Sequence, residues 1–103
     1  MNSRYIVYYK VHPDFMDAPS KINAQEFFSS YKPVEILQAD NVEEVYWRMQ
    51  GENWSPNGEM REFIEMCGLS HTSMSVGDVI YSEEDNEFYS VSRYGFEILT
   101  LTN

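Results

Sequence analysis

Between Gly77 and Thr100 the chain alternates apolar runs with turn-forming residues at a spacing suited to consecutive antiparallel strands. Gly77-Asp78 suits a tight turn, because glycine reaches positive φ without steric cost and aspartate can bond its own backbone. Val79, Ile80 and Tyr81 are β-branched or aromatic and predict a strand. The acidic pentad Glu83-Glu84-Asp85-Asn86-Glu87 interrupts that run, and Phe88-Tyr89-Ser90-Val91 resumes it. The expectation is an antiparallel hairpin over residues 78–92 that turns near Asp85-Asn86 and carries an acidic tip. Gly95 then breaks the second strand. Phe96, Ile98 and Thr100 alternate with Glu97, Leu99 and Leu101 as one further strand.

Upstream, Arg4 to Val11 is nearly continuous in Tyr, Val and Ile and predicts a central strand ended by His12-Pro13-Asp14. Asn23 and Glu26 carry a helix-start pattern, with Ile22 and Phe27 placed to staple it. Val34, Ile36 and Leu37 after Pro33 predict a short strand that stops before Asp40. Asp40 and Glu43 form a capping-box pattern ahead of Val42, Val45, Tyr46 and Met49, an amphipathic stripe closed by Gly51. Ser55-Pro56 offers a cap and a first helical proline before the stripe Met60, Phe63, Ile64 and Cys67, which ends at Gly68. Helices are therefore expected from Asn41 to Gln50 and from Asn57 to Cys67. They should pack on the sheet through Val42, Val45, Met49, Met60, Phe63 and Ile64. The resulting order is β-α-β-α-α-β-β-β in a single α+β domain spanning residues 1–103. Its sheet should be mostly antiparallel, with two or three helices on one face. The other face would stay partly open, with Tyr5, Tyr8, Tyr9, Tyr81, Tyr89 and Tyr94 as candidates for its surface.

A chain of 103 residues supports one core. Its 43% hydrophobic content argues against disorder, its apolar runs are too short for a membrane span, and its N-terminus lacks a signal core. Secretion is thus not expected, and a lone cysteine, Cys67, fits a reducing cytoplasm. Seventeen acidic residues against seven basic ones leave a net charge of −10. Ten of those acids lie from Glu52 onward, opposed only by Arg61 and Arg93, so −8 of the balance falls there. Such a field repels nucleic acid and anionic membranes and attracts a basic protein surface.

The chain offers little chemistry. Cys67 and His71 are four residues apart, but Cys67 continues an apolar stripe and reads as a core thiol, with no orienting group for a nucleophile. His12 and His71 fall in no metal-ligand motif, and Glu83, Glu84, Asp85 and Glu87 lack the spacing of a calcium loop. Neither a catalytic residue, a cofactor nor a metal is expected. The candidate contacts are these four tip acids, Trp54 in a polar loop, and the hydroxyl-rich segment of His71, Ser73 and Ser75. Backbone and side-chain donors in that segment could hold an anion or a peptide. Structural readings stand beside each: a solvated tip, a core-plugging Trp54, and hydroxyls that satisfy their own loop.

Thr72-Ser73-Met74-Ser75-Val76-Gly77-Asp78-Val79-Ile80, followed by Tyr89-Ser90-Val91 and Gly95-Phe96-Glu97, resembles small proteins of bacteriophages and mobile elements, including the YodL-like domain. The segment Val42 to Met49 is similar to the helix before the turn in such proteins. The resemblance spans roughly the last 60% of the chain and implies a genomic setting, with no activity attached. Charge and setting together lead to an expectation of a non-enzymatic, cytoplasmic interaction protein. It would dock on a basic, nucleic-acid-handling host protein and block it by nucleic-acid mimicry, as an anti-restriction or anti-CRISPR inhibitor. The alternative is an accessory or regulatory module of a larger phage assembly.

Overall fold

The computed structural model describes residues 2–103, which form a mixed six-stranded sheet with four helices. In chain order these are β1 (Ser3–Lys10), β2 (Lys21–Asn23), α1 (Ala24–Ser30), β3 (Tyr31–Ala39) and α2 (Val42–Arg48). After them come α3 (Gly51–Trp54), α4 (Arg61–Met66), β4 (Val79–Ser82), β5 (Glu87–Ser92) and β6 (Gly95–Thr102). The strands lie in the order β2-β6-β5-β4-β1-β3. All neighbours are antiparallel except β2, which runs parallel to β6 and pairs Ile22 with Leu101.

The expected α+β domain is present, and so is the hairpin, with Val79–Ser82 paired to Glu87–Ser92 around residues 83–86. Asn86 closes that loop at φ 53, a left-handed value that asparagine tolerates better than most residues. Gly95 (φ 137) opens β6 in a conformation that disfavours a side chain. Two elements escaped the periodicity argument, β2 and α3, since three or four residues are too few to show a period. The strand expected at Val34–Leu37 is longer and runs through Pro33, which lacks an N–H and is tolerated because β3 is an edge. Val34 is the extra residue of a bulge there, since Val7 faces Glu35 while Tyr8 faces Pro33. The same edge is guarded by side chains: the Glu35 carboxylate accepts the Ile36 N–H at 2.9 Å, and Arg48 donates to the Gln38 carbonyl at 2.6 Å.

Capping differs by one residue from the sequence pattern. Asn41, and not Asp40, caps α2 by accepting the Glu44 N–H at 2.8 Å, while Glu44 reaches back to the Asp40 N–H at 2.6 Å. Asn23 caps α1 as expected. Gly51 begins α3 instead of closing α2, and its N–H is taken by the Ser73 hydroxyl at 2.7 Å. Ser55 accepts the Met60 N–H from across a turn, so α4 starts only at Arg61, later than expected.

Three helices, α2, α3 and α4, lie on one face as expected, and α1 covers part of the other. β2 and β3 are opposite edges of the sheet, so α1 between them must cross it, and it does so on the face away from α2 and α4. One core joins Tyr5, Val7, Tyr9 and Ile80 of the sheet to Val45, Met49 and Ile64 of the helices. The second gathers Val79, Leu99, Tyr31 and Phe27, with Tyr8 and Phe27 rings 5.3 Å apart in an edge contact. From the α4 stripe only Ile64 is buried, while Phe63 is 37% exposed and Met60 and Cys67 are half-buried. So short a helix presents one deep side chain, and the expected burial of Phe63 fails for that reason. Ile64→Ala should therefore lower stability by about 2–5 kcal/mol and Phe63→Ala by about 1 kcal/mol or less, compared by urea denaturation.

Candidate functional site

Acidic residues converge at one end of the sheet. The β4–β5 loop carries Glu83, Glu84 and Asp85, all exposed, with Glu87 half-buried at the start of β5. The loop is tied to the beginning of β1, since the Glu83 N–H bonds the Arg4 carbonyl at 3.1 Å and the Glu83 carboxylate accepts from Arg4 at 2.6 Å. The Ser3 hydroxyl donates to Glu84. Ser3 in turn faces Ala39 at the end of β3, and there the chain continues into Asp40 and the first turn of α2 with Glu43 and Glu44. Strand pairing thus brings acids from distant parts of the sequence to a common edge.

Tyr5 and Tyr89 report that convergence electrostatically. Burial raises the Tyr5 phenol above its ordinary value, and the charges of Asp85, Glu84, Glu43 and Asp40 raise it further. Burial likewise raises the Tyr89 phenol, helped by its hydrogen bond to Asp85 at 3.0 Å and by Glu87. Asp40 and Glu43 were missing from the candidates read in sequence. Only the β1–β3 register reveals them, and at this end it joins residues more than thirty positions apart, Ser3 to Ala39 and Tyr5 to Leu37. Within this group Arg4 is the basic residue that pairs with a tip carboxylate.

The second cluster lies inward. Asp78 is 1% exposed, and its carboxylate accepts the Lys10 N–H at 2.8 Å, the Ser75 N–H at 2.9 Å and the ring Nε2 of His71 at 2.9 Å. His71 must then carry its proton on Nε2, leaving Nδ1 buried without a partner. Its ring stacks on Tyr9 with centroids 4.7 Å apart. The Tyr9 hydroxyl donates to the Thr72 carbonyl at 2.6 Å, and Trp54 Nε1 donates to the same oxygen at 3.0 Å. Burial holds the Tyr9 phenol far above its ordinary value and pushes Tyr31 up to about 12.

His71, Ser73, Ser75 and Trp54 are therefore engaged with the protein itself. Ser73 is bonded to Gly51, Ser75 to Asp78, and the half-buried Trp54 meets Tyr9 edge-on at 6.4 Å. The structure gathers Glu83, Glu84, Asp85 and Glu87 at the acidic end and places the other four candidates in and around the buried cluster at Asp78. Trp47, 63% exposed, borders a groove with Trp54, Leu37 and Glu35 beside the β3 edge. Among the described residues no group of three or more His, Cys, Asp and Glu side chains is placed to hold a metal ion. No helix among them is long and apolar enough to cross a membrane. Compared with protein-family models, curated proteins and solved structures, the chain matches none.

Asp78→Ala would orphan two backbone donors and a histidine in the interior, and should cost about 3–5 kcal/mol in thermal or urea unfolding. Tyr9 and Tyr31 yield a pH prediction. Their folded values lie above the unfolded value of 10, so the stability they carry is complete below pH 10. That stability shrinks as the pH climbs toward about 12, where the unfolded chain ionises first. Tyrosinate absorbance, followed together with circular dichroism, should show these two rings ionising only as the fold is lost.

Proposed function

We propose that this chain is a non-enzymatic interaction protein of phage or mobile-element origin. In this reading it acts in the bacterial cytoplasm by docking on a basic, nucleic-acid-handling protein. Its acidic end would occupy the surface that normally takes phosphates, as an anti-restriction or anti-CRISPR inhibitor does. The supporting observation is the gathering of Glu84 and Asp85 with Asp40 and Glu43 around Tyr5, with Glu83 in the same loop paired to Arg4. Carboxylates held at one edge attract Lys and Arg over roughly a Debye length, about 8 Å at physiological salt, and speed encounter more than they strengthen the final complex.

Geometry supports a specific presentation as well as an overall charge. The tip is short, closed by Asn86 and tied to Arg4 and Ser3, so its carboxylates are held in place and not on a long mobile loop. The charge distribution differs from the one counted along the chain. Asp78 is buried, whereas Asp40 and Glu43 from the first half belong to the acidic end.

The experiment is capture of a bacterial partner on immobilised protein, followed by release with rising salt and by competition with duplex DNA. With that partner purified, reversing Glu83, Glu84, Asp85 and Glu87 to Lys should slow association by about tenfold or more and flatten its salt dependence. Asp40→Lys with Glu43→Lys should act in the same direction from the other side of the edge. Equal rates and equal salt slopes in the reversed proteins would reduce the acidity to a solubility device.

A further inference from the structure

Beyond α1, its face of the sheet carries a row of apolar side chains set by strand register. Ile36 on β3 lies opposite Ile6 on β1, Ile6 opposite Tyr81 on β4, and Tyr81 opposite Phe88 on β5. At a strand spacing of about 4.8 Å these four make a strip roughly 14 Å long. The Tyr81 and Phe88 rings lie 4.6 Å apart. Ile36 is 54% exposed, Ile6, Tyr81 and Phe88 are half-buried with Phe88 against Phe27 of α1, and Phe28, 57% exposed, adjoins the strip through Tyr8. Single exposed apolar residues are ordinary, but here cross-strand pairing aligns them beside a charged loop.

That loop begins where the strip ends. Glu83 lies just past the end of β4, two residues after Tyr81, and its carboxylate accepts from Arg4, two residues before Ile6 on β1. The Tyr81 hydroxyl donates to Asn86 in the loop, beside Glu84 and Asp85. An apolar centre with a charged border is the anatomy of a protein interface.

We propose that the row Ile36–Ile6–Tyr81–Phe88 is the surface that holds a basic partner after encounter. The partner's apolar or aromatic side chains would lie on the row, and Lys or Arg beside them would face Glu83, Glu84 and Asp85. This rests on the electrostatic reading above and deepens it by naming where affinity resides. Charge selects the occupant. Aromatic side chains on a sheet can stack bases, but a nucleic acid here would set its phosphates against the tip carboxylates. A second copy would oppose two chains of net charge −10 and bring a second acidic loop to the first.

The test uses two synthetic peptides of equal positive charge, one alternating Lys with Phe and Leu, the other alternating Lys with Ser. Each is titrated into isotope-labelled protein and followed by amide shifts at low and high salt. The Phe/Leu peptide should shift Ile6, Ile36, Tyr81 and Phe88 as well as the tip, and retain binding in salt. The Ser peptide should shift the tip alone and be released by salt. Ile36→Ser, at an exposed position, should weaken the Phe/Leu peptide about tenfold, whereas Trp47→Ser on the opposite face should leave it unchanged.

If both peptides shift only the tip, with equal salt release, the row fails and the electrostatic reading stands. If the Ser peptide leaves the tip unmoved while the Phe/Leu peptide still shifts the row, the electrostatic reading fails and the row stands. Silence from both overturns the two together. Shifts by the Phe/Leu peptide centred on another face, or a peptide-free dimer that Ile36→Ser dissolves, would also overturn the proposal.

Discussion

The carboxylate of Asp78 ties the end of β1, the loop before β4 and His71 together at one buried point. It takes the Lys10 N–H at the end of β1, the Ser75 N–H in the loop before β4, and the ring of His71. Loop 70–78 is thereby fixed against β1, which sets His71 on Tyr9, and Thr72 between the Tyr9 hydroxyl and the Trp54 indole. Trp54 belongs to α3, so the same chain of bonds seats the helical layer on the sheet. A charge in the interior is tolerable only where several donors meet it, and here two amides and an imidazole do. Removing the carboxylate would strip all three of their acceptor at once.

The placement of α1 follows from connectivity. Because β2 and β3 are opposite edges of the sheet, the chain between them crosses a whole face, and α1 with Phe27 beneath it makes that crossing. Seven residues cover only part of the face. What they leave partly uncovered is the strip from Ile36 to Phe88, whose Phe88 end touches Phe27, next to the acidic loop. The opposite face is covered more fully, because α2 and α4 lie there with Leu69 and Met74 filling the space between.

The acidic end is likewise a product of pairing. Ser3 opposite Ala39, and Tyr5 opposite both Leu37 and Ser82, bring the end of β3 and the β4–β5 loop to the two sides of β1. Charges that act as separate runs in sequence then act together on Tyr5. Their separation in the chain has no bearing on their repulsion, which depends on distance in space alone.

The elements governed by neighbours along the chain were legible. The hairpin around Asn86, the start of β6 at Gly95 and the Asn23 cap of α1 all rest on local backbone chemistry that the residues themselves carry. Where two local solutions compete, the chain alone does not choose. Asn41–Glu44 and Asp40–Glu43 offer the same capping pattern, and the end of β3 decides for Asn41. The remainder lay in contacts distant in sequence: β2 exists because Thr100–Thr102 lies beside it, and Phe63 stays exposed because α4 is too short and turned to bury Ile64. His71, Ser73 and Ser75 suggested an open polar loop, yet Asp78 and Gly51 engage them from within. Composition and spacing determined every strand but β2, the net charge and the acidic tip, because these are properties of residue type and short-range order. Tertiary structure alone decided which acids share an edge and which apolar row is left partly uncovered, because both depend on strand register and on the path of α1 across the sheet.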